Sequence, residues 1–334
     1  MRWSFMSPTA VASGVPTPLP GVAATRHHAV LRHAPVALGA LLLVGVAVVA
    51  PALFRPSQVA NMVLQFAPLG IVVVGQMLVI LVRGLDLSVS SVMATSAVTA
   101  TAFSGRDVDL VWIVPVALGL GAAVGAINGA LVTQRGVSPF LATLATMIVL
   151  QGARNAYTQG APSGNVPPLL RTIGAGMTAG IPNNVSVLLA IALFTFVLLH
   201  VATLGRRVYL VGGSPTAARL LGIAADRVTM LAYVLSGVFA AIAGLVLSGY
   251  VSVVDNWVGR GFELDSIVAA VMGGIALSGG KGGVAGALLG AAILVVLSNA
   301  VVILGLPIHA QLIMKGFFIV LAASLYAARA RRAS

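Results

Sequence analysis

GRRVYLVGGSPTAARLLGIAADR, residues 205–227, is the longest polar interruption in the C-terminal half of an otherwise very apolar chain. It carries Arg206, Arg207, Arg219 and Arg227 against a single acid, Asp226. A short helix inside it is marked at both ends: Ser214 suits the N-cap, Pro215 the first helical position, and Gly222 the left-handed stop. A helix of two turns is not stable alone in water. It must rest on flanking helices, on a partner protein, or on both, so the reading of the fold begins with what surrounds it.

The surroundings are a bilayer. Of 334 residues, 59% are hydrophobic and 8% charged, and the mean hydropathy is +1.06, whereas soluble domains carry about 25% charged residues. Repeated apolar runs near the ~20-residue spanning length predict an all-α, polytopic transmembrane bundle. Strand-like alternation is absent, which disfavours an outer-membrane barrel. With no cysteine, disulfides, thiolate catalysis and cysteine metal sites are excluded. The net charge of +12 is scattered singly or in pairs beside apolar runs. That is the pattern of topology determinants rather than of a nucleic-acid footprint.

Residues 1–35 are rich in Ser, Pro, Ala and Thr, with no apolar run after the first charges. They read as a disordered cytoplasmic tail without a cleaved signal peptide. His27, His28 and His33 lack a carboxylate or thiolate beside them, so a metal site is not expected. The apolar region, residues 36–328, divides into about ten spans: 36–54, 59–82, 87–103, 111–133, 139–157, 185–204, 228–251, 264–277, 283–304 and 310–327, with the eighth short and glycine-rich. Residues 329–334 form a basic C-terminal tail. Ten spans put both termini on one side. With that side cytoplasmic, Arg83, Arg135, the arginines of residues 205–227, Lys281 and those of the C-terminal tail lie inside, while Asp107, Asp109, Asp255, Glu263 and Asp265 lie outside. This N-in, C-in bias makes residues 205–227 a cytoplasmic loop.

Several motifs bear on function. SGGKGG around Lys281 resembles a phosphate loop, but Ile275 and Gly282 occupy positions where a Walker A needs Gly and Ser or Thr. A tight glycine turn is the better reading, and any ATP dependence must come from another chain. Gly121, Gly125 and Gly129, and again Gly282, Gly286 and Gly290, recur every four residues, which predicts close helix packing. GLDLS (Gly84–Ser88) and GFELD (Gly261–Asp265) look alike and begin the third and eighth spans. An odd offset of five helices is compatible with an inverted repeat.

Asp86 is notable because an acid at bilayer depth costs ~2.5–3.5 kcal/mol on insertion scales. Two readings stand: a gate or path residue, or, favoured, an N-terminal helix cap near the interface. Ser88, Asn128, Gln151 and Asn299 are further candidates for path lining or interhelical hydrogen bonds; Gln76, Arg154 and Lys315 also lie within or near spans. Neither a zinc pair HExxH nor a GxSxG elbow occurs, so a membrane-bound hydrolase is not expected. The chain is read as non-enzymatic.

Three motifs in order, GLDLSVSSVMA (Gly84–Ala94), GGSPTAARLLGI (Gly212–Ile223) and GFELDSIVAAVMGGIALSGGKGG (Gly261–Gly283), resemble the membrane permease subunits of ribose-type ABC importers. The resemblance covers nearly the whole chain. It implies a bacterial inner-membrane permease paired with a second copy or a sister permease. It also implies a cytoplasmic ABC ATPase that binds ATP and Mg, and a periplasmic sugar-binding protein; no cofactor is implied on this chain. Ser214, Pro215, Thr216, Ala217, Ala218, Arg219, Leu220, Leu221 and Gly222 match the coupling helix that docks on the ATPase, while Gly261, Glu263, Leu264 and Asp265 match a periplasmic motif. Two departures are Ser90, where family members usually have Gly, and Ser214–Pro215, where they often carry Asn and Glu. The expected function is import of a monosaccharide delivered to the outer loops around residues 158–184 and 251–263. The alternative is an ion-coupled secondary transporter, which needs an ionisable residue deep in the bundle.

Overall fold

A computed structural model describes residues 45–320 except 47, 308, 318 and 319. The N-terminal tail, most of the expected first span, the end of the tenth and the basic C-terminal tail lie outside the described residues. After a 3-10 turn at Pro51–Phe54 the helices are α1 (Pro56–Leu81), α2 (Val89–Thr101), α3 (Leu110–Thr133), α4 (Pro139–Thr158), α5 (Pro168–Ala175), α6 (Asn183–His200), α7 (Thr203–Gly213), α8 (Pro215–Leu220), α9 (Ala225–Val251), α10 (Phe262–Met272) and α11 (Val284–Ile303). A two-residue hairpin, β1 (Met177–Thr178) with β2 (Ile181–Pro182), pairs Thr178 with Ile181. The architecture is an all-α membrane bundle. Among the described residues five helices are long and apolar enough to cross a membrane: α1, α3 with its leading 3-10 turn, α6, α9 and α11.

Two helices form the axis. α1 has 26 residues and α9 has 27, each about 40 Å long at 1.5 Å per residue. α1 is buried without a break from Ala67 to Leu81. α9 packs on α1, α2 and α3. The glycine face of α3 makes the last of these contacts close: a Cβ on Gly125 would meet Val234 Cα at 2.7 Å, and one on Gly121 would meet Ala241 Cβ at 2.9 Å. The second glycine face serves α11, where a Cβ on Gly290 would lie 2.7 Å from Gly273 N beyond α10. Gly121, Gly125 and Gly129 form one helix seam and Gly286 and Gly290 a second, as the four-residue spacing predicts, whereas Gly282, with φ 132°, lies in the turn before α11.

The structure corrects four sequence boundaries. The third span is not one helix from residue 87: α2 starts at Val89 and has 13 residues, and the chain before it is unwound. The eighth ends at Met272 rather than 277, because Gly274, Gly279 and Gly280 have positive φ and turn the chain back. The sixth stops at His200, and the polar stretch that follows holds two helices, α7 and α8, where only the second was expected. The outer segment 158–184, read as loop, contains α5 and the hairpin. α5 is held by Asp107, whose carboxylate accepts from Leu169 N at 2.7 Å.

Candidate functional site

The unwound link between α1 and α2, residues 82–88, is where the polar side chains converge. α1 ends in a Schellman motif: Gly84 N donates to Val79 O and Arg83 N to Ile80 O, both at 2.9 Å. Arg83 takes the left-handed conformation, φ 69°. That fixed reversal sends Leu85, Asp86 and Leu87 back into the bundle. Backbone without a helical ladder is tolerated at membrane depth only where protein satisfies it. Here side chains do so. With its amide oriented to suit its neighbours, Gln76 donates to Asp86 O at 3.0 Å and accepts from Asp86 N at 3.2 Å. Tyr233 OH donates to Leu85 O at 3.3 Å.

Asp86 is fully buried. Its Oδ1 accepts from Ser88 N at 3.0 Å and from Ser88 Oγ at 2.6 Å; its Oδ2 accepts from Ser236 Oγ at 2.9 Å. Ser88 Oγ accepts in turn from Asn128 Nδ2 at 2.9 Å, and Asn128 Oδ1 from Thr146 Oγ1 at 2.7 Å. One chain of hydrogen bonds thus joins the link to α2, α3, α4 and α9. The favoured reading of Asp86 as an interfacial cap is corrected. The N-cap of α2 is Ser88, with no side-chain cap bond, and Asp86 lies beside Ser236, near the middle of α9. It turns the chain into α2 from inside the bundle.

The five expected path residues fall in three places. Asp86, Ser88 and Asn128 belong to this network. Gln151 lines a separate cavity of 210 Å³ with Arg154, Asn256 and Glu263. Asn299 sits on α11, donating to Gln65 Oε1 at 3.0 Å and to Val295 O at 2.9 Å. Of the outer motif, Gly261 has φ 97° and N-caps α10, and its N–H donates to Glu263 Oε2 at 2.9 Å. Leu264 is exposed. Asp265 pairs with Lys315 at 2.6 Å, both side chains about 15% exposed.

The polar stretch 205–227 behaves as its caps predict. Ser214 Oγ accepts from Ala217 N at 3.2 Å, Pro215 opens α8, and Gly222 has φ 75°. Ala218 is buried, while Leu220 and Leu221 are 85% and 70% exposed. Arg219 pairs with Asp226 at 2.8 Å across α8 and the start of α9. What precedes α8 ties it to the link. Arg83 Nε donates to Gly212 O at 2.7 Å, and Arg83 Nη2 donates to Gly213 O. These are terminal carbonyls of α7, where a cation also meets the negative end of the helix dipole. The glycine turn completes the knot: Gly280 N donates to Leu81 O at 2.9 Å, and Tyr209 OH donates to Gly282 O at 2.9 Å. SGGKGG is therefore a turn that packs against α7.

Sequence reasoning missed Arg83, Ser236, Thr146 and Tyr233. Arg83 had one usable signal, its position before Gly84 at the end of an apolar run. Ser236 is a small hydroxyl inside an apolar helix and gave none.

The family described as branched-chain amino acid transport system, permease component, matches residues 58–323. The ribose import permease protein of Escherichia coli (strain K12) is 36% identical over 286 residues, covering 84% of this chain and 89% of the relative. That of Bacillus subtilis (strain 168) is 35% identical over 85% of this chain and 89% of its own. The fructose import permease protein of Bifidobacterium longum (strain NCC 2705) is 35% identical over 71% and 68%. No solved structure matches.

Proposed function

We infer the function from kinship and geometry together: this chain belongs to the permease-component family described for branched-chain amino acid transport systems, and it is the membrane permease subunit of an ABC importer for a sugar. The family description names amino acids, but relatives aligned over most of their length are named for ribose and fructose, and these favour a monosaccharide. The chain is a multi-pass membrane protein of the bacterial inner membrane, with about ten spans, both termini cytoplasmic, and an inverted repeat. The repeat is supported by the two look-alike motifs each leading into a short helix, α2 with 13 residues and α10 with 11.

The chain performs no chemistry. ATP and Mg act on a cytoplasmic ATPase, which docks on α8. A periplasmic binding protein delivers sugar to the outer segments 158–184 and 251–263. A second copy or a sister permease completes the path. The observation that carries the mechanism is the short link between α8 and the buried network. Arg83 holds the end of α7, and three residues further along the same link Asp86 holds Ser88 and Ser236. Displacement of α8 on ATPase closure pulls on Arg83. The rigid Schellman turn passes that motion to Asp86, and α2 shifts against α4 and α9. On this account the link has two states, with its input at α8 and its output at α2, as coupling requires.

Reconstitution tests it. The chain in proteoliposomes with its ATPase and binding protein should take up labelled sugar only when ATP and both partners are present. Uptake by the chain alone, driven by a proton or sodium gradient, sinks the proposal and favours the secondary-transporter reading.

A further inference from the structure

The 210 Å³ cavity lies among α2, α4 and the 256–263 segment, and three observations there point to a ligand. Arg154 is 6% exposed and, among the described residues, has no carboxylate partner. Its contacts are Ser91 O at 3.3 Å, Thr95 Oγ1 at 3.4 Å and Asn256 O at 3.0 Å. A buried charge without a counter-charge is costly unless something else solvates it. Second, two buried polar atoms of the lining residues, Arg154 Nε and Asn256 Oδ1, have no hydrogen-bond partner, whereas buried polar atoms are nearly always paired. Third, the cavity combines donors and acceptors over an apolar floor. Gln151 offers both, Glu263 accepts, Met147 contributes apolar surface, and Arg260 stacks on Trp257 with its guanidinium 4.7 Å from the ring centre.

We propose that this cavity is a permease-borne subsite for one neutral polyhydroxylated ring, recognised by Arg154 and Gln151 as donors and by Asn256 and Glu263 as acceptors. The inference rests on the sugar-importer reading above and deepens it by naming where the chain itself reads its substrate. The mixture of groups sets the ligand class. A hydroxyl both donates and accepts, so a polyhydroxylated ring suits a lining that mixes donors and acceptors, Gln151 and Arg154 with Asn256 and Glu263. An anion meets the Glu263 carboxylate, and a cation meets two guanidinium groups. The size is in keeping with one ring: 210 Å³ is below the ~300–1,000 Å³ of drug-sized pockets, which suits a monosaccharide. The place sets the role. Gln151 and Arg154 lie on α4 one and two turns beyond Thr146, whose hydroxyl holds Asn128 in the Asp86 network. An occupant pressing on α4 therefore acts on the same element that the link moves.

The test uses the complete importer, with permease, ATPase and binding protein in proteoliposomes. A panel of labelled pentoses and hexoses, D-ribose and D-fructose among them, identifies the best-transported sugar. Its uptake is then compared with that of its monodeoxy analogues. Selectivity of the binding protein is common to every permease variant and cancels between them. Asn256→Ala and Gln151→Leu should each lower discrimination against at least one deoxy analogue by roughly fivefold, the worth of one hydrogen bond, while Asn256→Asp, which keeps an acceptor, should retain it. The two sites lie on different elements, so one readable variant suffices. Unchanged discrimination in the readable variants overturns the subsite and leaves the importer reading standing, because the wild type still transports. Better uptake of sugar acids than of neutral sugars overturns the assigned ligand class. Absence of ATP-dependent uptake of every sugar by the wild type overturns the importer reading, and the subsite with it.

Discussion

Gly212→Ala is the sharpest perturbation of the coupling account, because its neighbour Gly213 supplies the control. Both residues end α7. A Cβ at Gly212 would lie 2.5 Å from Gly280 N and 2.9 Å from Gly280 Cα, and still nearer Leu81 O. Carbon and nitrogen need well over 3 Å, and every neighbour is backbone, so no side chain can swing aside. The methyl group must instead push α7 away from Leu81 and from the glycine turn. That draws Gly212 O and Gly213 O from Arg83. Overpacking of this kind costs about 1–3 kcal/mol, and backbone neighbours place it at the upper end, near a hundredfold in the docked-to-undocked ratio. Gly213→Ala meets nothing within 4 Å and gains roughly 0.5–1 kcal/mol of helix preference. In proteoliposomes with the ATPase and binding protein, Gly212→Ala should hydrolyse ATP with little sugar moved per ATP. Gly213→Ala should couple like the wild type. Equal coupling in the two variants refutes the transmission path through Arg83.

Other outcomes follow from the same contacts. Asp86→Ala strands donors of Ser88 and Ser236 in a buried site, at about 1–3 kcal/mol for each; thermal unfolding in detergent should show a larger loss than for Asp86→Asn, which keeps an acceptor. Removing one partner of the largely buried Asp265–Lys315 pair should cost up to about 3–5 kcal/mol, and replacing both far less; a double-mutant cycle on unfolding midpoints measures the difference. Arg219–Asp226 is more than half exposed on both sides and contributes at most about 1 kcal/mol to the fold. Arg219→Glu should therefore leave insertion and stability intact while weakening co-purification of the ATPase.

The parts legible in the sequence were those governed by local chemistry. Apolar length found the long helices, and four-residue glycine spacing found the seams of α3 with α9 and α10 with α11. Ser214, Pro215 and Gly222 found α8 together with both of its ends. Boundaries failed where tertiary contacts override hydropathy. The third span was expected from residue 87, yet the helix starts at Val89, because Asp86 holds Ser88 and Ser236 in the unwound link. The site was half visible for the same reason. Asp86, Ser88 and Asn128 stand out as polar residues in apolar runs. Nothing in the spacing says that they meet, or that Gln151 and Asn299 sit elsewhere.

The central claim is that energy enters at α8 and substrate at the opposite end of α9, about 40 Å away for its 27 residues. The chain has no cysteine, so single thiols report cleanly. Leu220→Cys and Val253→Cys, at positions 85% and 82% exposed and flanking α9, can each be probed by disulfide cross-linking in the assembled importer. The account predicts that the first captures the ATPase and the second the binding protein. Capture of both partners by one position, or an exchange of the two, would contradict it.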